Sequence, residues 1–218
     1  MACGLLFARL RPIHEKVSVL RRRLLGSRIT LAWTTCAKRV VQGEAHFYRP
    51  DMEFALRLLR RNGFQPNAVI DVGAYKGDWA LLCRGVFSDA RVLMVEPSAE
   101  RMRGLRKLRA NVAGLDVRQA LLGAREDMLL FREQESNSGV VPVPEPGAVP
   151  LACTPLDVLV ATTAFAQPEL LRLDVQGYEL QGLEGAVSTL RSVEVLVIEL
   201  SLIPLNPMVP SLRMMIEC

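Results

Sequence analysis

The sequence has few of the residues that build metal sites or disulfides. Its five cysteines lie far apart and only two histidines are present, which excludes the closely spaced Cys-x-x-Cys patterns of redox and zinc sites. We therefore expect no structural zinc. A metal that assists catalysis would need two or three clustered oxygen ligands, of which only Asp174 is evident, so we expect no bound metal. Scattered, unpaired cysteines are typical of a reducing compartment and favour a cytoplasmic location. These residues are Cys3, Cys36, Cys83, Cys153 and Cys218, with His14 and His46.

Long apolar runs are also missing. No stretch approaches the roughly 20 apolar residues that a membrane-spanning helix requires, so we expect no transmembrane segment. The apolar run at residues 4–8 is too short for the core of a signal peptide, and Arg9 and Arg11 prevent its extension. An arginine-rich, acid-poor start also suits an organellar presequence, which is the alternative to a cytoplasmic location.

The net charge of +4 is unevenly spread along the chain. Residues 1–61 hold 13 lysine or arginine residues against 4 acidic residues, whereas residues 62–218 hold 14 against 19. The densest basic run, residues 21–23, is either a solvated helix face or a site for an anionic membrane surface. No aromatic residues interleave with it, so nucleic-acid binding is not expected. We interpret residues 1–61 as a basic helical extension and residues 62–218 as the core domain.

Apolar runs alternate with helical periodicities along the core. Helical spacing also marks the first 40 residues and residues 51–61. We interpret the proline-rich stretch 142–155 as a surface loop and Thr154 as the cap of the helix after it. Strands that alternate with helices predict a doubly wound α/β fold with a mostly parallel sheet. The predicted strands are 68–72, 91–95, 117–122, 128–132, 140–143, 170–175 and 193–200, and the predicted helices are 78–86, 98–111, 154–162 and 179–190.

A glycine-rich turn follows the first predicted strand. Gly73 and Gly77 are spaced more widely than the glycines of the dinucleotide-binding pattern Gly-x-Gly-x-x-Gly. Gly73 permits a sharp turn and a close approach of a ligand to the backbone. Asp71 and Asp78 would repel a pyrophosphate, but they suit a ligand that carries an ammonium and a sulfonium, such as S-adenosylmethionine. The predicted donor-binding residues of this turn are Asp71, Gly73, Ala74, Tyr75, Gly77 and Asp78.

Two further strands deliver carboxylates to the same edge of the sheet. Glu96 ends the second strand at the distance from the glycine turn expected of an acid that binds ribose hydroxyls, and we add Pro97 and Ser98 to the donor site. Asp174 is a catalytic candidate, because a buried strand seldom ends in a carboxylate without a partner. Glu179 lies in the first turn of the next helix, where an acid either caps the helix or takes part in catalysis.

These segments resemble the FkbM family of methyltransferases over about residues 67–201. The resemblance implies a class I methyltransferase (Rossmann-like) fold, S-adenosylmethionine as methyl donor, and an oxygen acceptor on a sugar or a polyketide-type compound. Four matching segments in order are a specific signal. They are V-I-D-V-G-A-Y-K-G-D-W at 69–79, V-E-P-S at 95–98, T-P-L-D-V-L at 154–159 and L-R-L-D-V-Q-G-Y-E-L-Q-G-L-E-G-A at 171–186.

The chain departs from the family at three positions. The family often has asparagine where Tyr75 stands, and usually has lysine and glutamate where Arg172 and Gln176 stand. Arginine cannot act as a base and glutamine cannot titrate, so acid–base work at these two positions is not expected here. Only residues 204–218 remain beyond the last strand and its loop, and we expect the C-terminal closing hairpin of the class I sheet to be missing.

Three functions fit these patterns. The leading hypothesis is an O-methyltransferase that acts on a small-molecule or glycan acceptor, with Asp174 as base or acceptor-positioning carboxylate and Glu179 as the second candidate. The second is a catalytically inactive methyltransferase fold that serves as a binding module, because Arg172 and Gln176 depart from the family. The third is a nucleotide- or NAD-dependent α/β enzyme, which the glycine spacing disfavours.

Overall fold

The computed structural model describes residues 3–9, 52–134 and 138–201. Ten strands and five α-helices lie within these residues, together with a short 3-10 helix at Thr189–Arg191. The strands are β1 (Cys3–Arg9), β2 (Ala68–Val72), β3 (Arg91–Glu96), β4 (Leu115–Gln119), β5 (Leu121–Leu122), β6 (Asp127–Arg132), β7 (Gly139–Val140), β8 (Ala148–Thr154), β9 (Leu170–Leu173) and β10 (Val195–Ser201). The helices are α1 (Met52–Arg61), α2 (Asp78–Val86), α3 (Ala99–Asn111), α4 (Leu156–Ala161) and α5 (Glu179–Glu184).

Six strands form the main sheet, in the order β1-β10-β9-β2-β3-β4. The five strands from β10 to β4 are parallel, and β1 runs antiparallel to β10. The chain moves outward from β2 through β3 to β4 and later adds β9 and β10 on the other side of β2. The strand order therefore reverses between β2 and β9, which is the place where ligands bind in open α/β sheets.

Apolar side chains cover both faces of the main sheet, which confirms the doubly wound α/β fold. On one face, α1, α2 and α3 pack over a core that includes Val69 and Val92. On the other face, α4 and α5 pack over a core that includes Ile70 and Leu171. Alternate residues of a strand point to opposite faces. All five residues of β2 are buried because both faces are covered, and this explains its continuous apolar run.

The helices on the first face begin and end close to the predicted residues. α2 occupies the predicted range, and α3 begins just after Ser98, whose side-chain oxygen accepts a hydrogen bond from the Arg101 N–H at 3.1 Å. α1 ends before Gly63, which adopts the left-handed conformation at φ +83°. Leu56 of α1 is fully buried in the same core as α2. Part of the predicted N-terminal extension therefore contributes to the core.

The prediction that the first 40 residues are helical is wrong for residues 3–9. These residues form β1, whose register places Leu6 opposite Ile198 of β10. A short apolar run does not distinguish a strand from a helix by its periodicity, and the exposed edge of β10 offers unpaired backbone groups to such a run. β1 thus takes an antiparallel edge position beside β10. The predicted helical pattern of residues 10–51 and residues 202–218 lie outside the described residues.

A second sheet replaces part of the loop predicted at residues 142–155. Its order is β5-β8-β6-β7, and β8 pairs antiparallel with β6 along its length. Pro150 is tolerated because β5 joins β8 only at Cys153 and Thr154, so β8 is an edge strand at the proline. Thr154 ends β8 and does not cap α4, whose N-cap is Pro155. The predicted strand 117–122 divides into β4 of the main sheet and β5 of the second.

Among the described residues, no helix combines the length and the apolar composition needed to cross a membrane.

Candidate functional site

Three predicted acids lie at the carboxyl ends of adjacent strands. Asp71 lies in β2, Glu96 ends β3, and Asp174 follows β9. β2 lies between the other two strands in the sheet. Because parallel strands end at a common edge, the structure brings the three residues to one region, at the point where the strand order reverses.

Gly73 allows the loops after β2 and β9 to touch. Its φ is +78°, a conformation that residues with a side chain rarely adopt. A Cβ atom on Gly73 would lie 1.9 Å from the carbonyl oxygen of Asp174. The N–H groups of Gly73 and Ala74 donate to the carbonyl of Val95 at 2.9 and 3.1 Å. The glycine is thus needed for contact between two backbone segments, whereas the sequence suggested only an approach by a ligand.

Gly77 and Asp78 begin α2. Gly77 is buried with a φ of +85°, and a Cβ atom there would lie 2.5 Å from Cδ2 of Leu108 on α3. Asp78 is exposed in the first turn of α2, where a negative charge interacts favourably with the helix dipole. Both residues therefore have a local structural role, and their contact with a donor stays a prediction.

Arg172 joins Asp71 to Asp174. Its Nη1 donates to Oδ1 of Asp71 at 2.8 Å, and its Nη2 donates to Oδ2 of Asp174. Asp71 is fully buried, and this burial raises the pKa of its carboxyl group although the neighbouring guanidinium acts in the opposite direction. The guanidinium also lies 5.4 Å from the centroid of the Trp79 ring. Oδ2 of Asp71, Nε of Arg172 and Nε1 of Trp79 are buried and have no hydrogen-bond partner within the described parts of the chain.

The loop after β9 holds the second oxygen of Asp174. Nε2 of Gln176 donates to Oδ1 of Asp174 at 2.8 Å. Gln176 and Tyr75 both adopt a φ of +53°, which is uncommon for residues other than glycine, asparagine and aspartate. Two of the three positions at which the chain departs from the family pattern therefore lie in left-handed turns beside the acids.

The carboxylate of Glu96 accepts hydrogen bonds both from the turn after β2 and from the residues that follow β3. Its Oε2 accepts from the Tyr75 N–H at 2.9 Å, and its Oε1 accepts from the Ser98 N–H at 3.0 Å and from Nη1 of Arg101 at 3.4 Å. The residue is 2% exposed, and burial raises the pKa of its carboxyl group despite these donors. Oε2 accepts from Tyr75 alone among these donors, so it keeps a second lone pair.

Polar contacts attach the segment around Gln134 to the same region. Ser98 donates its hydroxyl hydrogen to Glu133, and Nη2 of Arg101 donates to Oγ of Ser138 at 2.8 Å and to the carbonyl of Gln134. A cavity of about 730 Å³ lies beside these residues. The lining includes Tyr75, Lys76, Arg101, Lys107, Glu133 and Gln134.

The Glu179 carboxylate stabilises the loop after β9 by accepting hydrogen bonds from its backbone. It accepts from the Val175 N–H at 3.2 Å and from the Gly177 N–H at 3.0 and 3.1 Å. Glu179 is 2% exposed, and burial raises the pKa of its carboxyl group. The structure thus shows a structural role for this predicted catalytic residue.

Pro97, which was predicted to belong to the donor site, is half-buried, and its carbonyl accepts from Nε2 of Gln119 at 3.2 Å.

Sequence reasoning did not assign site roles to Arg172, Gln176, Arg101 and Trp79. A signal for Arg172 was present, because a charged residue inside the apolar strand Leu170–Leu173 requires a buried partner. No comparable signal marked Arg101 or Trp79, whose places depend on how α2 and α3 pack against the sheet.

The chain matches the family model described as the methyltransferase FkbM domain over residues 71–218. It is 24% identical over 147 residues to the hexuronic acid methyltransferase AglP of Haloferax volcanii, and the match covers 66% of this chain. The chain spans 60% of the length of that relative. A crystal structure of coclaurine N-methyltransferase bound to N-methylheliamine and SAH matches with a TM-score of 0.27 and 20% identity, over 39% of this chain and 26% of that one. Since the domain match covers more than half of the chain, the protein belongs to the FkbM methyltransferase family.

Proposed function

We propose that the protein transfers a methyl group from S-adenosylmethionine to a hydroxyl group of a sugar. The observation that carries the proposal is the convergence of Asp71, Glu96, Asp174 and the Gly73 turn where the strand order reverses. Family membership supports methyl transfer. The name of the archaeal relative, a hexuronic acid methyltransferase, supports a sugar as the acceptor.

The residues at this edge fit such a donor. Asp71 Oδ2 is a buried acceptor without a donor, and Trp79 Nε1 and Arg172 Nε are buried donors without an acceptor, counting partners in the described residues. The amino-acid part of the donor carries an ammonium and a carboxylate, which complement these atoms directly or through a water molecule. Glu96 would accept hydrogen bonds from the ribose hydroxyls. When bound, the donor supplies an electrophilic methyl group.

Asp174 is the residue that would orient the acceptor hydroxyl. Its side chain is 16% exposed, whereas Asp71 and Glu96 are at most 2% exposed. Arg172 and Gln176 each occupy one of its oxygens, and each oxygen keeps a second lone pair for a hydroxyl donor. Orientation of reacting groups contributes about 7 to 11 kcal/mol to rate enhancement, so a positioning carboxylate suffices for a large effect.

Calorimetric titration with S-adenosylmethionine and with NAD tests the donor assignment. We expect heat of binding with S-adenosylmethionine only. Glu96→Gln should weaken that binding by about 1.5 to 3 kcal/mol, the range for a hydrogen bond to a charged group. The matched control is Glu126→Gln, an identical chemical change at an exposed position away from the three acids. Binding of NAD alone, or equal losses in both variants, would contradict the donor assignment.

A methylation assay read by mass spectrometry tests the acceptor class. Uronic acid glycosides, neutral glycosides and non-sugar alcohols are incubated with the protein and the donor. We expect a gain of one methyl group on hydroxyls of sugars, and Asp174→Asn should reduce it. Donor binding without methylation of any compound, under conditions where a known methyltransferase reacts, would favour the binding module and contradict the proposed activity.

A further inference from the structure

We infer that Arg172 is a positioning residue, which aims the Asp174 carboxylate at the acceptor by bridging it to the buried Asp71. The inference rests on the proposed function for the identity of the acceptor as a hydroxyl group. The effect of Arg172 on Asp71 is a property of the protein alone and can be measured without any ligand.

Strand register creates this bridge. Asp71 of β2 lies directly opposite Arg172 of β9 in the parallel pair. Residues two apart on a strand point to the same face, so Asp174, just beyond the end of β9, follows Arg172 on its own side. One guanidinium nitrogen then reaches each carboxylate, and Nη1 also lies 3.5 Å from the carbonyl oxygen of Gly73. The bridge spans the two strands between which the strand order reverses.

A planar guanidinium suits this bridge between two carboxylates. The guanidinium presents several N–H donors in a fixed plane, so separate nitrogens can serve two carboxylates at once. The Trp79 ring lies against it at 5.4 Å, which restrains the orientation of that plane. Arg172 is 13% exposed at its side chain, so water competes little for these bonds. A lysine at this position would keep the charge but would offer one nitrogen for both carboxylates.

The guanidinium opposes two effects, burial and the neighbouring Asp174, that raise the pKa of the Asp71 carboxyl group. Asp174 acts on Asp71 as a like charge and raises the pKa of the Asp71 carboxyl further, while Arg172 lowers it. Glu199 on β10 is a third carboxylate that acts on Arg172, after Asp71 and Asp174. Burial raises the pKa of the nearby Cys83 thiol to about 12, so this group stays neutral.

The negative charge of Glu179 also acts near Asp174, and the pKa of Glu179 is raised by burial and, in smaller part, by Asp174. Without the guanidinium, Asp71 and Asp174 would face each other as uncompensated carboxylates. Asp71 would then take up a proton at a higher pH than in the parent protein.

Carbon NMR of protein labelled at the aspartate Cγ atoms tests this inference, with Asp71→Asn to assign the Asp71 resonance. We expect Arg172→Met to raise the midpoint of the Asp71 titration, because the guanidinium lowers the pKa of this carboxyl group in the parent protein. Arg172→Lys should keep the midpoint near that of the parent protein. The matched control is Arg118→Met, which removes an arginine from an ion pair with Asp116 on β4, outside the site. Unchanged midpoints in Arg172→Met, or equal shifts in the control, would overturn the inference.

A second measurement keeps the test decisive if Arg172→Met does not fold. Arg172→Lys keeps the positive charge but not the two separate nitrogens of the bridge. In the methylation assay, Arg172→Lys should lower kcat with little change in the KM for S-adenosylmethionine, and an unchanged kcat would overturn the inference. If the parent does not bind S-adenosylmethionine, the proposed function fails, while the NMR result still decides whether Arg172 lowers the pKa of Asp71.

Discussion

The backbone of Asp174 lies against Gly73 so closely that a Cβ atom on the glycine would sit 1.9 Å from the Asp174 carbonyl oxygen. This contact joins the turn after β2 to the loop after β9. The two segments that carry the proposed donor and acceptor groups are therefore fixed to each other through main-chain atoms, and the spacing of Asp71 and Asp174 depends on it.

Replacing Gly73 by alanine should destabilise the protein. The methyl group would collide with backbone, and the φ of +78° disfavours any L side chain, so we expect a loss of about 1 to 3 kcal/mol or more in the free energy of unfolding. Urea denaturation measures this loss. Gly85→Ala is the matched control, since Gly85 lies in the last turn of α2 with open space where a Cβ atom would lie, so alanine there should not lower the stability. Equal stability of Gly73→Ala and the parent would contradict the contact.

The stability of the protein should depend on the protonation of Glu96. Burial raises the pKa of this carboxyl group in the folded state above its ordinary value of 4.5, so the folded protein holds the proton more tightly than the unfolded chain. The resulting contribution to stability is complete below pH 4.5 and is lost as the pH rises through the folded-state pKa. Each unit of difference between the two pKa values corresponds to about 1.4 kcal/mol.

Glu96→Gln should therefore lose less stability than the parent when the pH is raised from about 4.5 to 7. Urea denaturation at a series of pH values provides the two curves. Glu126→Gln, at an exposed position, should follow the parent curve. Parallel curves for Glu96→Gln and the parent would show that this carboxyl group titrates alike in the folded and unfolded states.

Much of the main sheet could be predicted because its strands are buried on both faces. β2 and β3 are short apolar runs bounded by turn residues, and this pattern is typical of buried strands in a parallel sheet. The second sheet was harder to predict, since β8 contains Pro150 and shows no clean alternation. A proline argues against a strand unless the neighbouring strand is known to be absent at that point, and this knowledge depends on tertiary structure.

The positions of the site acids could also be predicted, whereas their partners could not. Asp71, Glu96 and Asp174 follow from the rule that strand ends share an edge of the sheet. That Arg172 bridges two of them depends on the register between β9 and β2, and the contact of Arg101 with Glu96 depends on how α3 approaches β3. A strand pattern contains neither kind of information. Glu179 illustrates the same limit, since its carboxylate binds the backbone of its own loop.

Deletion of residues 2–9 should weaken the main sheet. These residues include β1, and their loss would leave the backbone groups of β10 without the antiparallel partner described here. We expect a lower Tm and a greater tendency to aggregate, both measurable by differential scanning fluorimetry and light scattering. Donor binding at a temperature well below Tm should persist, since β1 is at the opposite side of β10 from β9 and β2. An unchanged Tm would contradict a role for β1 in the stability of the sheet.

Asp174→Asn should separate orientation of the acceptor from binding of the donor. Asparagine keeps the shape of the side chain and one acceptor oxygen, but it removes the charge that Arg172 and Gln176 hold in place. If Asp174 orients or deprotonates the acceptor, turnover should fall by about 10²-fold or more, with S-adenosylmethionine affinity close to that of the parent. Calorimetry and steady-state kinetics on the same preparation give both values. If Asp174 instead binds the ammonium group of the donor, affinity falls and turnover recovers at saturating donor. Unchanged affinity together with unchanged turnover would remove Asp174 from the site, because a residue that touches either ligand must alter one of the two.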